Sequence, residues 1–379
     1  MGKLVPFSLL FLFACGNGEL PKAKSTSGWD YNTPKSGFEV VDDTVYQLDY
    51  ATGFSIQIEG ENQLVTIFED SLVVGRYLLY KEYAPAQQEG VLNIKIPIKT
   101  IACLSTTYLP YIDRLGMIQT VKGMANAQFA RNENLKKQLA NGTTSSISAT
   151  AEIDLEKVIE IDPELLMVYP FNSPDYKRLT DLGVNLFYNT EYKEAHPLGQ
   201  AEWIKLFGLL YNREAEASTI FNTIKESYLE LQQLANDVNK VKVLSGAIFN
   251  GTWRTPGSNS MGAKLFEDAG GKLIWEDGKS GSYSMDIGVA IEDAEKADVM
   301  VLVSPFEGKY NMEYLVQENA KYELFKPFSD HHVVHCNTAK VNYFEDALLE
   351  PDLVLKDLLY LFHSELLPDH KLKYFRHLK

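Results

Sequence analysis

The residues best placed to do chemistry lie in three aromatic-bearing loops. One is FNGTWRTPGSNS (249–260), a Gly- and Pro-containing stretch that carries Trp253, Arg254 and Ser258 between an apolar run and a helical pattern. The others are Leu104-Ser105-Thr106-Thr107-Tyr108, and Asn342-Tyr343-Phe344 behind the last apolar run. Each follows a segment patterned as a strand, and open α/β sheets bind ligands at the carboxyl ends of their strands. Facing one cleft, such loops would offer aromatic walls, hydroxyls, an amide and a guanidinium, which is the chemistry of binding. The alternative is that Trp253 and Tyr343 only cover loop backbone, and the sequence leaves these two readings even.

Catalytic and metal motifs are sparse. No G-x-G-x-x-G follows a strand pattern, and neither a P-loop nor a G-x-S-x-G elbow occurs, so nucleotide-binding and hydrolase readings lack their mechanical core. The nearest approach to a metal motif is Asp330-His331-His332-Val333-Val334-His335. On a strand, His331 and His335 would share a face while His332 points away, so at most two imidazoles converge. An edge-strand histidine cluster is the plainer reading, and a free zinc or manganese site on His331 and His335 the more distant one. With 51 acidic against 36 basic residues the net charge is −15, which disfavours a nucleic-acid partner. The expectation is a binding protein, not an enzyme, with no cofactor and no bound structural metal.

The elements that must position these loops follow from periodicity. Residues 44–60 and 64–80 alternate apolar and polar side chains around Gly60-Glu61-Asn62, the pattern of a β-hairpin. From residue 99 onward short apolar runs alternate with helix-period segments, the signature of βα units and a parallel sheet. Strands are expected at 101–104, 164–169, 184–188, 241–249, 299–303 and 332–336. Helices are expected at 107–115, 154–161 (capped by Asp154), 175–182, 259–269, 287–294, 311–317 and 353–362. Between 197 and 238 only helical periodicity appears, with Asn212 as a break, so a long helix separates two halves. The halves echo one another: helix-DPELLMVYP (162–170) is matched by helix-KADVMVLVSP (296–305). The predicted fold is α/β, two Rossmann-like lobes with central parallel sheets joined by one long helix, after a leading β-hairpin. Residues 38–210 form the first lobe with its hairpin, 211–240 the linking helix, and 241–379 the second lobe and tail.

At the amino end, Lys3 precedes an apolar run (4–14) of signal-peptide length, too short to span a bilayer. It ends in Leu12-Phe13-Ala14-Cys15, which is similar to the box in which a bacterial lipoprotein cysteine is acylated. A small, polar stretch follows, as a tether would be. The expected division is a signal peptide at 1–14 and a tether at 15–37, with Cys15 lipidated and the membrane touched only through that anchor. Cys103 and Cys336 then remain, both in apolar strand-like runs, where buried free thiols are the plainer reading.

Three segments together resemble a known family: IACLSTTYLPYIDRLG (101–116), DLEKVIEIDPELLMVY (154–169) and FNGTWRTPGSNSMGAKLFEDAGG (249–271). They are similar, in that order and with a long helix between lobes, to the substrate-binding lipoproteins of ABC importers for ferric siderophores and cobalamin. The resemblance spans roughly 95–365, and the tail at 351–368 is similar to one branch of the family. It implies a periplasmic, lipid-anchored monomer that captures a metal chelate (siderophore, cobalamin or haem) and hands it to an ABC permease and its ATPase. Ligand-binding residues would then be Ser105, Thr106, Tyr108, Trp253, Arg254, Ser258, Asn342 and Tyr343, with Trp253 against a catecholate or corrin face and Arg254 against an anionic chelate. One glutamate per lobe docks on the permease in this family. Glu156 fits the first, whereas Gly288 stands at the second, leaving Asp286 (or Glu292) as the substitute.

Overall fold

The structure is a computed structural model that describes residues 47–148, 152–170, 173–306 and 311–379. The signal, the tether and Cys15 lie outside the described residues. The chain opens with a four-stranded sheet in the order β1 (Phe54–Glu59), β2 (Asn62–Glu69), β3 (Leu72–Tyr80), β4 (Leu92–Lys95). The expected hairpin is its β1–β2 pair, turned by Gly60 at φ +62°. The second arm at 64–80 is not one strand. Asp70 and Ser71 both take positive φ, at 48° and 71°, a two-residue turn that folds β3 back on β2.

The first lobe is a wholly parallel sheet built from β5 (Ile101–Cys103), β6 (Val121–Ala125), β7 (Ser145–Ser148), β8 (Leu165–Val168) and β9 (Leu186–Tyr188), in the order β7-β6-β5-β8-β9. Its central strands read as continuous apolar runs because helices cover both faces. Asp154 caps the helix Leu155–Ile161 by accepting the Lys157 N–H at 3.0 Å, and Asp162 ends it at φ +46°.

The long helical stretch resolves into Pro197–Glu202, Ile204–Tyr211 and Glu214–Leu234, with Asn212 at φ +55° as the break. The last of these buries Ala217, Phe221, Ile224, Tyr228 and Leu231, one apolar stripe at three- and four-residue steps.

The second lobe contains β10 (Val241–Ser245), β11 (Ala247–Phe249), β12 (Thr252–Pro256), β13 (Gly271–Leu273), β14 (Ser282–Met285), β15 (Val299–Ser304), β16 (Val333–Asn337) and β17 (Arg376–His377). Its main sheet runs β13-β10-β15-β16-β17, parallel except for β17, which the tail adds antiparallel to β16. A separate antiparallel sheet, β11-β12-β14, comes from the stretch expected to be one strand and a loop. Gly246 at φ +137° divides it: a Cβ there would collide with the Arg254 carbonyl, so only glycine lets β10 turn into β11. One apolar core runs from Phe54 in the leading sheet through Tyr111, Phe207 and Tyr228 to Leu355 and Tyr374 in the tail. The lobes and the linking helix are therefore packed as a continuous body. The fold is two-lobed α/β.

Candidate functional site

At the carboxyl end of β5, Ser105 caps the short turn Thr106–Tyr108, its Oγ accepting the Thr107 N–H at 3.2 Å. The two hydroxyls of Ser105 and Thr107 lie 2.8 Å apart, and Thr107 Oγ1 donates to Glu191 Oε1 at 2.6 Å. Glu191 begins the turn after β9 and is 0% exposed. Burial pushes its carboxyl up to about 7 against the hydrogen bond from Thr107, and the charge of Glu194 adds to the rise. Among the described residues, Glu191 Oε2 and the hydroxyl of fully buried Tyr108 have no hydrogen-bond partner. Tyr169, behind β8, continues the aromatic surface, with its ring 6.0 Å from Tyr108 and 5.5 Å, edge-on, from Tyr192. Its hydroxyl bonds to Ser105 and Thr107.

The second-lobe residues fall into two groups. Trp253 is corrected: it is 0% exposed, packed at 4.8 Å from Phe325 inside the lobe, so it is core and not a cleft wall. The reason is that its segment is β12, whose alternation turns Trp253 and Thr255 inward and Arg254 outward. Arg254 is half-buried and donates from Nε and Nη2 to Ser282 Oγ at 3.3 and 3.1 Å. Ser258 holds a neighbouring loop: its N–H donates to Asp277 at 3.0 Å and its Oγ accepts from Gly278 N–H at 2.7 Å.

Asn342 and Tyr343 lie where the lobes meet. Asn342 Nδ2 donates to Glu345 at 3.3 Å and to Asp346 at 2.9 Å, while the Tyr343 ring packs edge-on against Tyr374 and Phe375 of the tail. Glu345 crosses the junction. It is 4% exposed, accepts the Arg131 N–H at 3.3 Å and bonds the Thr106 hydroxyl, both from the first lobe. Arg131 returns the contact by donating from Nη2 to the Thr338 carbonyl at 3.4 Å. Thus Ser105, Thr106, Tyr108, Asn342 and Tyr343 are gathered around one junction of strand ends, and Arg254 and Ser258 belong to the antiparallel sheet and its loop. Sequence reasoning missed Glu191 and Glu345. Both were within reach of the strand-end rule, Glu191 behind β9 and Glu345 next to the Asn342–Phe344 loop behind β16.

Two surface hollows lie elsewhere. One of about 740 Å³, lined by Pro97, Met117, Tyr211 and Arg213, opens at the amino ends of the first-lobe strands; another of about 430 Å³ lies between Phe68 and Glu194.

Glu156 is exposed on the first turn of its helix. Asp286 is exposed too, but its Oδ1 accepts the Gly288 and Val289 N–H groups at 2.7 and 3.2 Å, capping the helix Ile287–Asp293. It is the counterpart of Asp154, not of Glu156. The histidine site is also corrected. His331 precedes β16 in a left-handed turn at φ +60°, its Nδ1 3.3 Å from Met312 Sδ, while His335 is buried within the strand beside Ser304. They do not share a strand face, and burial holds the His335 imidazole down at about 4. Among the described residues no group of three or more His, Cys, Asp or Glu could hold a metal ion. Cys103 and Cys336 are free and buried.

Residues 101–339 match the model of a family described as periplasmic binding protein. The chain belongs to that family. That family is one of binding proteins, not of enzymes. A relative in Methanocaldococcus jannaschii, an uncharacterized lipoprotein, is 28% identical over 294 residues, covering 74% of this chain and 69% of its own. The solved structure of a possible iron-binding, periplasmic solute-binding protein from Staphylococcus epidermidis superposes with a TM-score of 0.56 at 18% identity, over 70% of this chain and 99% of that one. The vitamin B12 binding protein of Vibrio cholerae does so with a TM-score of 0.53 at 12% identity, over 71% and 98%. Both share its fold. Among the described residues no helix is long and apolar enough to cross a membrane.

Proposed function

We propose that the chain is an extracytoplasmic lipoprotein, anchored through Cys15, that captures a ferric-siderophore-type chelate between its lobes and delivers it to an ABC permease. The observation that carries this reading is the junction itself. The Thr106 hydroxyl and the Arg131 N–H reach Glu345 of the opposite lobe, with the hydroxyls of Ser105 and Thr107 and the rings of Tyr108 and Tyr169 beside them on one side and Asn342 on the other. A ligand that brings its own metal donors needs walls and hydrogen bonds of this kind, not a coordination shell. The iron-binding relative of the fold favours iron chelates, and the vitamin B12 binder favours cobalamin as the alternative, with haem of similar planarity. Glu156, exposed at a helix start, is the residue we assign to permease docking; in the second lobe Asp286 is occupied as a cap, which leaves Glu292 for that role.

The continuous core through the linking helix implies modest lobe closure, because a packed body resists hinge motion. The test is equilibrium dialysis of the protein against ferrichrome, ferrioxamine B, ferric enterobactin, cyanocobalamin and haem. Retention of one ferric chelate at one per chain is expected. Retention of none of the five would overturn the reading, and retention of cyanocobalamin or haem alone would replace the ligand. In cells, labelled fatty acid should enter the protein and be lost in Cys15→Ala.

A further inference from the structure

The first-lobe edge holds two buried acids that no cation among the described residues pairs with. Glu191 is fully buried, and the one charged side chain that perturbs it is another acid, Glu194. Lys193, beside it in sequence, is turned to Glu69 and Asp70 at 3.5 and 3.1 Å. Glu345, reaching the same turn from the second lobe through Thr106, is also buried; its neighbours are Asn342, the Arg131 N–H and Asp346. Neither acid forms an ion pair with a lysine, arginine or histidine among the described residues. A buried carboxylate without a cation is costly, and so is a buried polar atom without a hydrogen bond. Here Glu191 Oε2 and the Tyr108 hydroxyl are both in that state.

We propose that the Ser105–Tyr108 turn takes up a positively charged group of the ligand, with the Glu191 carboxylate as its counter-charge. This rests on the solute-binding reading of the same junction and narrows its ligand to a cation-bearing one. The geometry supplies what such a group needs. Glu191 provides an acceptor that is held in place by Thr107 at 2.6 Å and still has one oxygen unused. Tyr108 and Tyr169 lie beside it with their rings 6.0 Å apart, and aromatic faces attract cations. The groups facing Glu191 are Thr107, the Tyr192 N–H, the rings of Tyr108, Tyr111 and Tyr169, and Glu194; none is basic. Because burial holds its carboxyl near 7, an arriving cation displaces a proton there, and binding weakens as pH falls.

The cation can be an ammonium carried on a chelate or a metal ion itself, and the experiment separates them. Binding is measured for ferrioxamine B, which carries a pendant ammonium; for its N-acetylated form, which has the same iron shell without the charge; and for nickel(II) chloride. Ferrioxamine B is expected to bind about 10-fold or more tightly than the acetylated form at alkaline pH, a preference that shrinks in acid. Glu191→Gln should abolish the preference, so that the two chelates then bind alike. Should Glu191→Gln not fold, Glu191→Asp retracts the charge by one methylene and should cut the preference several-fold. Nickel binding that Glu191→Gln removes, with neither chelate bound, would keep the counter-charge role and overturn the chelate reading. Equal binding of the two chelates, or a preference that survives Glu191→Gln, would overturn the counter-charge role and keep the chelate reading. Failure of all three to bind would overturn both.

Discussion

Glu191 can be probed without any ligand, because a carboxyl whose folded pKa is raised makes stability depend on pH. Its ordinary value of 4.5 rises to about 7 on folding. Between those values the folded chain binds more protons than the unfolded one, so stability falls as pH rises through the folded pKa. At 1.36 kcal/mol for each unit, the shift amounts to about 3 kcal/mol lost between acid and alkaline conditions. Glutamine keeps the shape and the acceptor for Thr107 but does not titrate. Its unused amide adds a cost that is the same at every pH, so the informative quantity is the change in the difference between the two proteins. Urea unfolding at pH of about 5 and about 9 should show Glu191→Gln gaining about 3 kcal/mol relative to the parent on going to the higher pH. Parallel pH profiles for the two proteins would refute the reasoning, since they would mean that Glu191 is solvated or paired with a cation.

Three further outcomes are expected. Glu202 accepts the Asp49, Tyr50 and Ala51 N–H groups at 3.0, 2.7 and 2.8 Å and pairs with Lys205 at 2.6 Å, so Glu202→Ala removes the acceptor of three backbone N–H groups and a buried ion pair and should cost about 3–5 kcal/mol. Lys205→Met leaves Glu202 with its backbone donors and should cost clearly less; chemical denaturation of both tests the asymmetry. Trp253→Ala should destabilise by about 3–5 kcal/mol through a core cavity, while Trp253→Phe stays folded and keeps ligand affinity in a dialysis assay. Asp286→Ala should lower stability by about 1 kcal/mol through the lost helix cap, read as a small drop in the unfolding midpoint.

The fold was legible where burial on both sides of a sheet writes apolar runs and where caps punctuate helices. The runs at Ile101–Cys103, Leu165–Val168 and Val299–Ser304, and the Asp154 cap, follow from local chemistry alone. Turns made by residues other than glycine were harder: Asp70 and Ser71 take positive φ in a stretch whose alternation runs on unbroken. Trp253, for which the sequence leaves two readings even, depends on a distant pairing. A Gly- and Pro-rich stretch reads as a loop, and only its pairing with Ser282–Met285, distant in sequence, makes it a strand with an inward tryptophan. The candidate site shows the same division. Ser105, Thr106 and Tyr108 follow from the strand-end rule, which also reaches the positions of Glu191 and Glu345 but not the burial of the one or the contact across lobes of the other. Asp286, which the resemblance offers in place of a glutamate at 288, is occupied in capping its own helix, a role that only the positions of the Gly288 and Val289 N–H groups reveal.

The ligand should sit at the junction of strand ends between the lobes. Hydrogen exchange of the protein with and without a bound ferric chelate tests it most directly. Protection gained at residues 104–109, 189–193 and 337–346 is the predicted result. Protection confined to the hollow lined by Pro97, Met117, Tyr211 and Arg213, with the junction unchanged, would contradict the account.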